Sequence, residues 1–204
     1  MRKQHLDYAA ANAQVEELIA LAEEKGALFW KAHGMTYQGC VFAMTGRASN
    51  AIEMINSGIA ALRSTGSTQW MPLYLSHLAK AHVELDQFDD AWRCIGEAMT
   101  VVETTKEKIW EADLHRTAGE ITLMSPAPDA AKAEAYFKRA LAIAREQNAK
   151  SWELRAAMSM SRLWRDQGKR QQAHELLAPV YRWFTEGFDT LDLKQAKALL
   201  DELT

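Results

Sequence analysis

The sequence predicts an all-α chain. The expected architecture is a right-handed α-solenoid of antiparallel helix pairs, with a period of about 40 residues and a capping helix at its C-terminal end. Three observations carry that prediction. Trp30, Trp70, Trp110 and Trp152 form a ladder with steps of 40, 40 and 42 residues. An alanine stands 19 residues before each of them, at Ala11, Ala51, Ala91 and Ala133, and Ala173 continues that series. Two residue types in one register mark an internal repeat. Only 10 glycines and 4 prolines interrupt 204 residues rich in Ala, Leu, Glu, Lys, Arg and Gln, all strong helix formers.

The chain reads as a single repeat domain over 1–204. A half repeat at 4–26 is followed by helix pairs at 27–66, 67–106, 107–148 and 149–187, and by a capping helix at 190–203. The first helix is expected over 4–25, from the spacing of Leu6, Ala10, Ala13, Val15, Leu18, Ile19 and Ala22. Lys25-Gly26 ends it, a cation in the last turn and a glycine just beyond. In the repeat register this is a second helix without its first. Either an earlier helix belongs before it or something else caps this end. Its apolar edge (Leu6, Val15, Leu18, Ile19) is a candidate for self-association.

The next helix is expected over 27–45, with a turn at Thr45-Gly46-Arg47 and a return helix over 49–62 that Ser49 would N-cap. Ser64-Thr65-Gly66-Ser67 breaks it. Helices over 69–85 and 89–104 flank the turn Asp86-Gln87-Phe88-Asp89. Helices over 108–124 and 129–147 flank Ser125-Pro126-Ala127-Pro128-Asp129, whose prolines forbid a continuous helix and lengthen this repeat. The last pair spans 150–167 and 170–185, joined at Gln167-Gly168-Lys169. Gly187 then closes it, and an amphipathic helix over 191–203 shows a charged outer face of Asp192, Lys194, Lys197 and Asp201, as a terminal repeat requires.

Small residues recur where helices must approach: Gly39, Ala51 and Gly58, then Ala79, Ala91 and Ala98, then Gly119, Ala133 and Ala140, then Ser161 and Ala173. Bulky Phe42, Ile55, Phe137, Trp164 and Leu177 fill the space beside them. This pattern resembles the tetratricopeptide repeat, although the period is about six longer than that family's 34 residues. Longer helices of this kind resemble the arrays of bacterial signalling ATPases and MalT-like regulators. The stretches Ala133–Arg145, Ala149–Ala157, Leu163–Gly168, Tyr181 and Trp183–Thr190 resemble one bacterial group more specifically. In that group a class III adenylate/guanylate cyclase or winged-helix DNA-binding domain precedes an AAA-type ATPase, and a repeat array of this type ends the chain. The resemblance is close over about 110–203 and looser over 1–109. It implies a C-terminal sensor or scaffold role. No residue here matches the cyclase or ATPase portions, so neither activity carries over.

Composition excludes several classes. The chain is 48% hydrophobic and 25% charged with net charge -3, which exerts no global pull toward nucleic acid or an anionic membrane. No apolar run approaches a bilayer's thickness and no signal-type segment follows the polar N-terminus, so a cytoplasmic protein is expected. Cys40 and Cys94 are expected as free, buried thiols. His77 and His82 stand five apart, on different faces of a helix, and the other histidines (His5, His33, His115, His174) join no metal-binding spacing. No HExxH, GxSxG, GxxxxGK or GxGxxG motif occurs. No enzyme, no metal and no cofactor is expected.

The ladder tryptophans are read as anchors of each first helix against the preceding pair, rather than as a ligand-stacking series. Trp92, Trp164 and Trp183 are read as packing residues too. What remains is the inner face, lined in tetratricopeptide arrays by first helices. Transferred by register, it comprises His33, Thr36 and Cys40; Leu73, Ser76 and Lys80; Asp113, Arg116 and Glu120; and Arg155, Met158, Arg162 and Arg165. Lys80, Arg116, Glu120, Arg155, Met158, Arg162 and Arg165 are the candidate partner-binding residues. Arg155, Arg162 and Arg165 share one helix face and suit a carboxylate or an acidic peptide. The alternative is that they pair with Glu120, Glu153 or Asp166 and only solvate the surface. The expected function is protein or peptide binding, with no nucleic acid or membrane partner. A sensor for an anionic metabolite is the second reading.

Overall fold

The computed structural model describes residues 2–204, with side chains from residue 8 onward, so the side chains of His5 and Leu6 lie outside the described residues. The described residues form ten α-helices and no strand. They fall into two compact units, Met1–Lys108 and Ile109–Thr204. The first contains α1 (Arg2–Glu24), α2 (Leu28–Met44), α3 (Ala48–Ser64), α4 (Met71–Glu84) and α5 (Phe88–Thr105). The second contains α6 (Glu111–Met124), α7 (Ala130–Glu146), α8 (Lys150–Asp166), α9 (Arg170–Arg182) and α10 (Leu191–Leu203). The fold is all-α, of the α-solenoid type, as the repeat predicts.

Within each unit the paired helices meet at the small residues. A Cβ on Gly39 of α2 would lie 2.5 Å from Ile55 Cγ1 and 2.9 Å from Ile55 N, on α3. Only the absence of a side chain lets these two axes approach so closely. The flanking residues are fully enclosed: Ala51 and Ile55 are 0% exposed in the first unit, and Phe137, Ala140 and Leu177 are 0% exposed in the second. Each large apolar side chain buried this way contributes about 1.5–3 kcal/mol.

The helix ends follow a 20-residue beat. Gly26, Gly46 and Gly66 turn the chain at φ +64° to +76°, and Asp86 and Lys106 do the same at 58° and 61°. The beat resumes with Asn148 at 52° and Gly168 at 78°.

Three sequence expectations are corrected. Ser49 lies inside α3 and caps nothing; Arg47 holds the N-cap position without a side-chain bond. A genuine cap occurs at Asp129, whose carboxylate accepts the Lys132 backbone N–H at 2.9 Å. The helix expected over 170–185 stops at Arg182, with Pro179 accommodated inside it. Trp183 follows that stop, and it is 58% exposed rather than packed. It rests edge-on against Phe184 with Lys150 over its ring.

The ladder divides in the same way. Trp70 stacks edgewise on His33 and lies 5.8 Å from Tyr37, both on the preceding first helix. Trp152 meets Trp110 at 5.7 Å and packs against Ala112, Ile143 and Ala144. Both anchor against the preceding pair. Trp30 does not, being 52% exposed and touching only rings of its own helix.

Candidate functional site

Six of the seven candidate residues sit in the second unit, on its first helices. α6 carries Arg116 and Glu120, and α8 carries Arg155, Met158, Arg162 and Arg165. Lys80 belongs to α4 of the first unit.

Arg116 is the best-held charge of the set. Its guanidinium donates to Asp113 Oδ1 at 2.8 and 2.5 Å and to Glu120 Oε1 at 2.5 Å, with 12% of its side chain exposed. Burial alone would favour losing its proton, but the two carboxylates outweigh burial and raise its pKa. The Ser159 hydroxyl of α8 donates to the same Glu120 oxygen at 2.9 Å, so α6 and α8 are tied through one carboxylate. Arg155 donates to Asp192 of α10 at 2.7 Å and lies over the Trp152 ring at 4.8 Å. Arg165 donates to Asp166 at 2.9 Å and to Glu202 of α10 at 2.5 Å; these hydrogen bonds raise its pKa. Met158 is 3% exposed and belongs to the apolar core of the unit.

Arg162 differs from its neighbours. Among the described residues it forms no hydrogen bond and no ion pair, although it is half-buried. Burial depresses its pKa, and the positive charges of Arg116 and Arg165 add to that; Glu120 and Glu202 oppose it. Of the three arginines on this helix face, two therefore have carboxylate partners and one does not. The partners are not all those expected from sequence. Arg155 takes Asp192, while Glu153, two residues away on another face of α8, is held by Arg145 at 2.8 Å and Lys150 at 2.7 Å.

In the first unit four of the six register-transferred positions are core, while Leu73 and Lys80 are half-buried. His33, Thr36, Cys40 and Ser76 are 4% exposed or less. Thr36 Oγ1 donates to the His33 carbonyl at 2.8 Å, satisfying itself within α2. Burial pushes the Cys40 thiol up to about 12, with the nearby Lys80 charge only partly offsetting it, so this sulfur is not an activated nucleophile.

Sequence reasoning missed a cluster built around His33. The rings of Phe29, Trp70 and Tyr74 lie 4.4, 5.2 and 6.0 Å from its imidazole. His33 Nδ1 is 2.7 Å from the Tyr74 hydroxyl, while Nε2 is buried without a partner. The available signal was Phe29, His33 and Tyr37 at i, i+4, i+8 spacing on one helix, with Trp70 and Tyr74 four residues apart in the next first helix.

Among the described residues no three His, Cys, Asp or Glu side chains converge as metal ligands. An open cleft of about 480 Å³ is lined by Glu134, Trp164, Lys169, Gln172, Glu175 and Leu176. Glu134 in this cleft is held below the usual carboxylate range, chiefly by its hydrogen bond with Lys138. No helix among the described residues is long and apolar enough to cross a membrane.

No family profile matches this sequence, and no curated protein matches it either. Solved structures do. Two crystal structures of the nearly identical TPR-like repeats of a Podosopora anserina kinesin light chain-type protein are similar to it. A single-residue variant of those repeats superposes with a TM-score of 0.57 at 17% identity, covering 88% of this chain and 92% of that one. The parent structure gives a TM-score of 0.54 at 16% identity, covering 98% and 95%. With its helix pairs and its small-residue crossings, the chain thus has a tetratricopeptide-like repeat fold.

Proposed function

We propose that this chain is a non-catalytic interaction module, which binds a protein or peptide segment along the first helices of its second unit. The observation that carries this is Arg162. A half-buried guanidinium without a carboxylate partner, between two arginines that have theirs, is electrostatically unfinished. A carboxylate from a partner chain would complete it with a charge-assisted, two-pronged hydrogen bond. Arg116, Glu120, Arg155 and Arg165 then act as the fixed frame around that contact, and Met158 as the packing beneath it. Lys80 belongs to the corresponding face of the first unit. The sequence resemblance supports a place as the C-terminal sensor or regulatory part of a bacterial signalling protein, with the linked domain supplying any catalysis or DNA binding.

The same unfinished charge favours one second reading, an anionic metabolite as ligand. Calorimetric titration distinguishes the two. The probes are an acetylated Asp/Glu-rich octapeptide, the same peptide with its carboxylates amidated, and citrate. Acidic-peptide binding that falls at least tenfold in Arg162→Gln, with citrate inert, is the expected result. Citrate binding as tightly as the peptide moves the assignment to a metabolite sensor. Equal binding of the acidic and amidated peptides removes Arg162 from the site.

A further inference from the structure

The second unit has a cleft that the arginine face does not use. Its volume of about 480 Å³ lies within the usual range of small-ligand sites, about 300–1,000 Å³. Glu134 of α7, Trp164 of α8, Lys169 of the turn between α8 and α9, and Gln172, Glu175 and Leu176 of α9 line it. Trp164 stands nine residues after Arg155 on α8. At about 3.6 residues per turn that is about two and a half turns, so the indole leaves the helix on the side opposite Arg155.

The cleft has an apolar floor. Trp164 and Leu176 pack against the core of the unit and stay only half-buried, which leaves part of each side chain to the cleft. The Trp164 side chain is hydrogen-bonded to Glu134. The indole N–H is the one donor that side chain has, so this bond fixes the direction of the ring. The floor is therefore in place before a ligand arrives, which lowers the ordering cost of binding.

The charges of the rim are unequal. Two carboxylates and one ammonium line the cleft. Glu134 is already balanced, since Lys138 Nζ stands 2.7 Å from it and the charge of Lys169 acts on it as well. Glu175 is not balanced. Its carboxylate accepts the Gln171 side-chain amide at 2.9 Å, and among the described residues no cation pairs with it. Gln172 stands three residues before Glu175, on the same wall of α9, and its amide oxygen is a further acceptor.

We propose that this cleft binds a small organic cation, an amine or guanidinium carried on an apolar body. Its N–H groups donate to Glu175 and Gln172, and its apolar body lies on Trp164 and Leu176. The electron-rich indole adds attraction for the cation. An anion would meet the uncompensated charge of Glu175 and is rejected. The site depends neither on Arg162 nor on a peptide partner.

Calorimetric titration of the full chain tests this with three probes that share a phenylethyl body: phenethylamine, the neutral 2-phenylethanol and the anion 3-phenylpropionate. Saturable binding of phenethylamine is expected, at least tenfold tighter than that of the alcohol, with no binding of the anion. Glu175→Gln keeps the shape and removes the charge, and amine affinity should fall at least tenfold. Glu175 is exposed, so the fold should tolerate the change, and an unaltered Tm checks this. Arg162→Gln should leave amine binding as it is, which separates this site from the arginine face. Absence of saturation with phenethylamine overturns the proposal, as does equal binding of the alcohol or indifference to Glu175→Gln. A capped Gly-Arg-Gly tripeptide that binds more tightly than phenethylamine also overturns it, because the cleft would then hold a basic side chain of a partner protein and not a free ligand.

Discussion

Gly58 of α3 lies against Thr36 of α2 with no room for a methyl group between them. A Cβ there would stand 2.5 Å from Thr36 Cγ2 and 2.9 Å from Thr36 N. The second distance is to backbone, which cannot rotate away. Gly58→Ala should therefore destabilise the chain by roughly 1–3 kcal/mol, even though alanine is the better helix former. Gly96 is the control, since it sits in helix α5 with nothing within 4 Å of a Cβ. Gly96→Ala should stabilise by about 0.5–1 kcal/mol. Urea unfolding of both variants checks the pair. Equal signs would show that propensity, and not the α2–α3 approach, governs position 58.

Lys106 ends α5 at φ 61°, where Gly26, Gly46 and Gly66 serve on the same 20-residue beat. A Cβ in the left-handed region costs about 1–2 kcal/mol, whereas glycine occupies it freely. Lys106→Gly should raise Tm, with a net gain below that figure because glycine also loosens the unfolded chain. A lowered Tm would show that the lysine side chain contributes something the turn geometry does not.

The repeat, the helix pairing and nearly every turn were legible in the sequence, because small residues at crossings and glycines at helix ends follow from backbone sterics alone. The boundary after α9 was not, since the apolar pattern runs on through Tyr181, Trp183 and Phe184 while the helix stops at Arg182. The face of the second unit was half legible. Helical spacing placed Arg155, Arg162 and Arg165 together, but it could not say which had partners. Asp192 and Glu202 are 37 residues from Arg155 and Arg165 and lie on another helix. Burial of His33 and Thr36 was missed because the register identifies a helix face without saying how closely the next helix covers it, whereas the buried thiol of Cys40 was expected.

His33 makes stability depend on pH in a defined window. Burial lowers its pKa from the ordinary 6.5, and burial lowers that of His115 as well. The unfolded chain then takes up these protons first as pH falls. The stabilisation is complete above about pH 6.5 and is lost progressively below it, toward the folded-state values. Each histidine contributes a slope of at most about 1.4 kcal/mol per pH unit. Tm measured between about pH 7.5 and 5 should fall in the wild type and fall less steeply in His33→Gln, which keeps a polar side chain near Tyr74. Parallel curves would mean that His33 is protonated as easily in the folded chain as in the unfolded one.

Arg116 and Arg162 stand on adjacent first helices, and methionine should affect them in opposite ways. Arg116 neutralises two carboxylates in a site where only 7% of the Asp113 side chain is exposed. Arg116→Met removes the charge that ion-pairs with both carboxylates, at a cost of about 3–5 kcal/mol. Arg162 forms no ion pair among the described residues, and burial with the charges of Arg116 and Arg165 outweighs its attraction to Glu120 and Glu202, so its charge is a local burden on the folded state. Arg162→Met keeps the apolar stem and removes that burden, and it should leave Tm unchanged or higher while acidic-peptide binding falls at least tenfold. Stability lost for function in this way is the signature of a binding residue. Should Arg162→Met instead destabilise as much as Arg116→Met, Arg162 would be holding Glu120 or Glu202 within the fold, and the unfinished charge on this face would have to be sought elsewhere.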